Sequence, residues 1–161
     1  MSMAINEQDK GFLREAIQMA EASVRLGGGP FAALVVRDGE IVGRGNNRVT
    51  LNLDPTAHAE VQAIRAACEH LGDFRLTGCT LYVSCEPCPM CLAASYWARL
   101  ERVVYAASAA DAAAVGFDDT HIHEQLLLPE AQRQLKMAQG LRAEGAAPFT
   151  LWQQTEDRVD Y

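Results

Sequence analysis

The sequence predicts an α/β fold in which helices pack on both faces of a central sheet. Segments with helical periodicity alternate along the chain with short, apolar, strand-like segments. That alternation is typical of a sheet between two helical layers. The chain has 161 residues without an internal repeat or a low-complexity linker. We therefore expect one domain, residues 1–161.

Periodicity and turn residues define the elements of the first half of the chain. In order, they are a helix over residues 7–26, strands over 31–37 and 40–45, and a helix over 55–71. Asn6 is a suitable N-cap for the first helix, and Asp38-Gly39 is a typical hairpin turn. Pro55 favours the first turn of the second helix, because an N–H at that position would be unpaired anyway.

The second half is predicted to continue the alternation and then to become ambiguous. A strand over residues 80–84, a helix over 88–97 and a strand over 102–107 are expected. Between residues 124 and 145 the pattern does not distinguish helix from strand, although 135–141 would suit a strand. Residues 148–157 have a helical pattern.

Composition argues against a nucleic-acid or membrane partner. The net charge is -7, from 14 Lys and Arg against 21 Asp and Glu, and the basic residues are scattered. Because phosphate neutralisation by Lys and Arg supplies most of the affinity for nucleic acid, we expect a small neutral substrate instead. No apolar run approaches the ~20 residues that span a bilayer.

The cysteine count points to a reducing compartment. There are five cysteines, an odd number, and the N-terminus has no signal-peptide pattern. We therefore expect a cytoplasmic protein whose cysteines stay reduced.

The residues that carry chemistry are His58 and Glu60, followed by Cys88 and Cys91. One His, two Cys and a Glu that is not a ligand form the signature of zinc-dependent base deaminases. A catalytic zinc takes three N or S ligands and keeps a fourth position open. We predict one Zn²⁺ per subunit held by His58, Cys88 and Cys91. Glu60 would be the catalytic residue that carries protons from water to a ring nitrogen and to the departing amine.

Two alternatives exist for the Cys-x-x-Cys pair taken alone. A zinc ribbon would need a second such pair, and the other cysteines, Cys68, Cys79 and Cys85, do not form one. A redox pair would not explain the upstream His58 and Glu60. Both ligand segments are expected at helix N-termini, where the helix dipole favours the thiolate form.

Several motifs together resemble a known family. Asp-Pro-Thr-Ala-His-Ala-Glu at 54–60 and Ser-Cys-Glu-Pro-Cys-Pro-Met-Cys at 84–91 are similar to the cytidine deaminase-like superfamily. Within it, the segments that resemble bacterial guanine deaminases are Gly-Gly-Pro-Phe at 28–31, Gly-Asn-Asn at 45–47, Asp-Ala-Ala at 111–113, Gly-Phe-Asp-Asp at 116–119 and the acidic-aromatic tail. The resemblance implies a three-layer α/β/α sandwich with a central mixed five-stranded sheet.

The resemblance also implies a reaction and a set of substrate contacts. The reaction would be hydrolysis of guanine to xanthine and ammonia. Phe31 would form the wall on which the purine stacks, Asn46 would hydrogen-bond the purine, and Asp119 would accept from its N–H edge. The family forms a homodimer in which the C-terminal segment, about 145–161, is swapped onto the partner, so that Tyr161 would reach the other subunit's substrate. Ala32 departs from the family, in which we expect glycine.

Other interpretations remain open from the sequence. Guanosine, cytosine or another nucleobase could be the substrate, and a tRNA adenosine deaminase acting on a flipped base shares the zinc motif. A closed structural zinc module would be the non-enzymatic alternative. His121 and His123 alternate as ligands on a strand would, but no carboxylate or Cys partner accompanies them.

Overall fold

The computed structural model describes residues 4–161. These residues form α1 (Glu7–Arg25), β1 (Ala32–Arg37), β2 (Glu40–Asn46), α2 (Val49–Asn52), α3 (Ala59–Leu71), β3 (Cys79–Cys85), α4 (Pro89–Trp97), β4 (Arg102–Ala107), α5 (Ala109–Ala113), α6 (Thr120–Leu127), a 3₁₀ turn (Glu130–Gln132) and α7 (Arg142–Gln154). The chain divides into two compact units, the first ending at Asp119 and the second comprising Thr120–Tyr161. No helix in the described part of the chain is long and apolar enough to cross a membrane.

The first unit contains a mixed sheet with strand order β2-β1-β3-β4. Strand β1 is antiparallel to both β2 and β3, whereas β3 and β4 are parallel. Four predicted strands are thus confirmed, but the expected fifth strand is absent from residues 4–161. Residues 135–141 pair with no strand there, and Leu135, Met137 and Leu141 are exposed. A strand needs both ladder partners and a covered apolar face, and this segment has neither.

Alternate residues of the sheet enter two separate cores, which gives the predicted three layers. On one face Ala33, Val35 and Val83 pack with the buried alanines of α3. On the other face Leu34 and Tyr82 pack with the apolar side of α1. The strand period of two therefore places a helix on each side of the sheet.

Helix α1 begins where the sequence predicts. The side chain of Asn6 accepts from the amide of Asp9, and the side chain of Asp9 accepts from the amide of Asn6, each at 2.8 Å. This capping box satisfies two helix-terminal donors. Asp9 is also buried, and it accepts from the hydroxyl of Tyr82 and from the guanidinium of Arg102. The start of α1 is thereby attached to β3 and β4.

Helix α3 begins later than Pro55, so the predicted start was wrong. The carboxylate of Asp54 accepts from the amide and the hydroxyl of Thr56, at 2.8 and 2.7 Å, and makes a local turn. Such side-chain hydrogen bonds compete with the helix. The turn delays the helix until Ala59, and His58 becomes its extended N-cap residue, with φ -67° and ψ 153°.

The second unit consists of α6, the 3₁₀ turn and α7. The predicted helix over residues 148–157 is confirmed in part, because α7 begins at Arg142 and ends at Gln154. Pro148 lies inside this helix rather than at its start. Within this unit the rings of Trp152 and Tyr161 meet edge to face, with centroids 6.4 Å apart.

Candidate metal centre and active site

The structure brings together the three residues predicted to hold a metal. His58, Cys88 and Cys91 place one ligand atom each within 4.8 Å of the others, the only such cluster among residues 4–161. The Nδ1 atom of His58 lies 3.5 Å from the Sγ of Cys88 and 3.5 Å from the Sγ of Cys91. The three ligand atoms thus form a triangle, as three corners of a coordination tetrahedron would.

These distances fit zinc. Bonds of about 2.1 Å to nitrogen and about 2.3 Å to sulfur, meeting at the tetrahedral angle, place the two donor atoms roughly 3.6 Å apart. The donor set of one imidazole and two thiolates is also one that zinc prefers. Three protein ligands leave one tetrahedral position open, which distinguishes this centre from a closed structural site. The alternative of a structural zinc module is therefore disfavoured by the donor count.

Two helix N-termini hold the ligands, as the sequence predicts. His58 is the N-cap of α3, and Cys88 is the N-cap of α4, with Pro89 in the first turn. Cys91 is fully buried in α4. The unpaired N–H groups and the dipole at such helix starts favour negative charge on the ligands.

The thiols of Cys88 and Cys91 differ in acidity. Hydrogen bonding from Cys91, then from His58, lowers the pKa of Cys88 to about 4. The same contact with Cys88, together with burial, raises the pKa of Cys91 far above its usual range. The pKa of His58 is raised by its hydrogen bond with Cys88. Cys88 is therefore the more acidic of the two thiols in this arrangement.

Glu60 is buried beside this cluster. It lies in the first turn of α3, and only 8% of its surface is exposed. Burial is the main reason that its pKa is raised above that of an ordinary glutamate, since the charged form loses hydration. A carboxyl group whose pKa is moved toward neutrality can both take up and release a proton, as a general acid and base must.

Phe31 immediately precedes β1 and contacts a second aromatic residue. Its ring meets that of Phe117 edge to face, with centroids 5.0 Å apart. Phe117 belongs to the Gly-Phe-Asp-Asp segment, so this contact fixes the segment against β1. The amide of Ala32, next to Phe31, donates to the hydroxyl of buried Ser84 at 3.1 Å. Phe117 and Ser84 belong to the motifs at 116–119 and 84–91, but those motifs alone did not indicate these two contacts.

Asn46 and its neighbour Asn47 point in different directions. The side-chain amide of Asn46 donates to the carbonyl of Met19 in α1, at 2.9 Å. In the sheet, Asn46 pairs with Ala32 and shares the face that α1 covers. Asn46 is therefore on the opposite face from α3 and the metal ligands, which the sequence did not reveal.

Asn47 is buried next to the segment that carries His58. Its Oδ1 atom accepts from the amide of Val49 at 3.2 Å. The following residue, Arg48, donates its amide to the carbonyl of Ala57 at 2.9 Å. The Gly-Asn-Asn motif alone did not indicate which of the two adjacent asparagines lies near the metal ligands.

The remaining residues predicted from the sequence are divided between the two units. Asp119 is the half-buried last residue of the first unit, and Tyr161 is in the second unit. His121 and His123 are two residues apart on helix α6. That spacing directs their side chains to different sides of the helix, and in the described part of the chain they join no metal-ligand cluster.

Comparisons with known proteins agree with the arrangement of the site. The family model of the cytidine and deoxycytidylate deaminase zinc-binding region matches residues 6–107. The guanine deaminase of Bacillus subtilis is 48% identical over 93% of this chain and 97% of its own length. Its crystal structure has a TM-score of 0.92, at 46% identity, covering 98% of this chain and 99% of that chain.

A second group of relatives matches a shorter region. The tRNA-specific adenosine deaminase of Aquifex aeolicus is 43% identical over 60% of this chain and 64% of its own length. The chain therefore belongs to the cytidine and deoxycytidylate deaminase zinc-binding family.

Proposed function

We propose that this protein is a zinc-dependent guanine deaminase, which hydrolyses guanine to xanthine and ammonia. The observation that carries the proposal is a guanine deaminase relative that matches along nearly the whole of both chains. The tRNA deaminase relatives match less of this chain, 60% to 75% of it, at 37% to 43% identity. The buried Glu60 beside an open three-ligand metal cluster supports the same reaction type.

The chemistry divides between the metal and the chain's own residues. Held by His58, Cys88 and Cys91, zinc would act as a Lewis acid and would lower the pKa of a water molecule from ~15.7 toward ~7. Glu60 would take the proton from the attacking water and deliver it to a ring nitrogen of guanine. It would then help to protonate the amine that leaves as ammonia. The overall balance is guanine plus water giving xanthine plus ammonia, with Glu60 returned to its starting state.

Substrate recognition is proposed at four positions. Phe31 would stack on the purine, supported by Phe117. Asp119 would accept from the N–H edge of the base, because an ionised carboxylate is a pure acceptor. Tyr161 would contact the base in the partner's site.

Two neighbouring asparagines, Asn46 and Asn47, are candidates for the hydrogen bond to the purine. Asn46 is the sequence-based prediction, but its amide already donates to Met19. We propose Asn47 in this role, since its buried side chain adjoins the segment before His58 and its Oδ1 is oriented by Val49. The Nδ2 group of Asn47 would then donate to an acceptor of the purine ring.

The quaternary structure and location are also proposals. The family resemblance supports a homodimer with residues 145–161 swapped onto the partner. All five cysteines are unpaired. Free thiols that serve as zinc ligands support a cytoplasmic location, where they stay reduced.

Ammonia release tests the function directly. Zinc-loaded protein is incubated separately with guanine, guanosine, cytosine, adenine and tRNA. Release from guanine alone is expected. Release from adenosine in tRNA, with a steep fall as salt rises, would replace the proposal by the tRNA deaminase alternative. Release from no substrate would favour a structural zinc protein.

A further inference from the structure

We propose that Gly45 is a positioning residue for the metal site. Because it has no side chain, the first turn of α3 can lie directly on β2, and this contact fixes His58 and Glu60. The part of the proposal that concerns turnover depends on the proposed deaminase function. The part that concerns metal geometry does not.

The sheet register puts two glycines under α3. Gly43 pairs with Val35 and Gly45 pairs with Ala33, so both glycines lie on the face that α3 covers. A Cβ atom on Gly45 would overlap the carbonyl oxygen of Ala59 and the amide nitrogen of Ala63. Since both are backbone atoms, no change of side-chain rotamer could relieve the overlap. The helix itself would have to move.

The overlap falls on the residue between the two functional side chains. Ala59 separates His58 from Glu60, and its own methyl group is buried against the same face of the sheet. On the other side of His58, the amide of Arg48, which follows β2, holds the carbonyl of Ala57 at 2.9 Å. The end of β2 therefore fixes the chain both before and after the metal ligand.

Gly43 provides a matched control on the same strand. A Cβ atom there would also overlap backbone, at the carbonyl of Ala63, and would lie 2.7 Å from the amide nitrogen of Ala67. This contact is about one helical turn further from His58. Substitution of either glycine should cost similar stability, whereas only Gly45 adjoins the first turn.

The experiment compares Gly45→Ala with Gly43→Ala in the full chain. Co²⁺ replaces Zn²⁺ as a spectroscopic probe, and a chelator competition measures metal affinity. For Gly45→Ala we expect a shifted Co²⁺ absorption spectrum and an affinity lowered about tenfold or more. We also expect kcat for guanine to fall by about 10²-fold, with a smaller change in KM. Gly43→Ala should keep the wild-type spectrum and a kcat within about threefold, at a similar loss in unfolding midpoint.

Two results would overturn the proposal. One is a wild-type Co²⁺ spectrum in Gly45→Ala, and the other is an equal shift in both variants. If the wild-type protein released no ammonia from guanine, the proposed function would fail, while the spectra would still test the positioning role.

If Gly45→Ala is insoluble, a second pair of variants tests the same region of α3. Ala59→Gly removes the methyl group between His58 and Glu60, and Ala67→Gly removes one equally buried two turns further along α3. Only Ala59→Gly should shift the Co²⁺ spectrum. Equal spectra would again contradict a special role for the contact at the first turn.

Discussion

At the scale of single residues, a substitution at Glu60 tests proton transfer separately from metal binding. Glu60 is buried next to the ligands but is not one of the three clustered donors. Glu60→Gln keeps the size and removes the exchangeable carboxyl proton. We expect zinc content to stay at one per chain and kcat to fall by at least about 10²-fold. Metal analysis and ammonia release measure the two quantities, and wild-type turnover in the variant would refute the assigned role.

The adjacent asparagines give a second residue-scale prediction. Asn47→Ala should lower kcat/KM for guanine by about 10- to 100-fold, since a buried polar contact to the substrate would be lost. Asn46→Ala removes a hydrogen bond to Met19 in α1, so it should lower the unfolding midpoint and leave kcat/KM within about threefold. Steady-state kinetics on both variants decide between them, and the reverse order of effects would restore Asn46 as the recognition residue.

A substitution at Asp119 tests selectivity for guanine rather than the rate of turnover. The carboxylate of Asp119 is proposed to accept from guanine N–H donors, and no other common base presents the same donors at that edge. Asp119→Ala should therefore lower kcat/KM for guanine relative to 2-aminopurine analogues that lack the N1 proton. An unchanged ratio of kcat/KM values would place the recognition of that edge on another residue.

At the scale of elements, the buried carboxylate of Asp9 joins α1 to the sheet. It accepts from Arg102 through two nitrogens, at 2.9 and 2.8 Å, and from Tyr82 at 2.7 Å. The Arg102 contact is the main reason that the pKa of Asp9 is held well below its usual value. A depressed pKa contributes stability that is present above the unfolded value of about 3.9 and is lost as pH falls toward the folded value.

The Arg102→Ala variant tests this attachment. It should lose about 3 kcal/mol of unfolding free energy at pH 7, because an uncompensated buried charge remains. The difference from wild type should shrink below about pH 4, where Asp9 of the unfolded chain is protonated. Urea unfolding at pH 7 and pH 3 measures both values. Arg44→Ala, which breaks a solvent-exposed pair with Glu15, should cost under about 1 kcal/mol, and equal losses would contradict the argument.

The elements also show where sequence reasoning succeeds and where it fails. Local signals predicted the four observed strands, α1, α4 and the metal ligands, through periodicity and ligand spacing. They did not exclude a fifth strand, which residues 4–161 do not form. The start of α3 does not follow from these signals, because the hydrogen bonds from Asp54 to Thr56 compete with helix formation. The side of the sheet to which Asn46 points depends on register, and a shift of one residue reverses it.

At the scale of the whole molecule, the swapped tail can be tested by mixing two inactive proteins. One is Glu60→Gln, which retains its tail. The other ends at Thr155 and lacks residues 156–161, which follow α7, but it retains Glu60. If each tail completes the partner's site, a mixed dimer contains one complete site. Random pairing should then restore about a quarter of wild-type activity, because half the dimers are mixed and each has one working site of two.

An unswapped arrangement predicts the opposite result. Each site would then draw its glutamate and its tail from the same chain, and no mixed dimer would contain a complete site. Co-expression with two different affinity tags isolates the mixed dimer, and its kcat per chain is compared with those of the two parents. Recovered activity would require that Tyr161 or its neighbours act across the subunit interface. Absent recovery in a purified mixed dimer would confine the tail to its own chain or remove it from the active site.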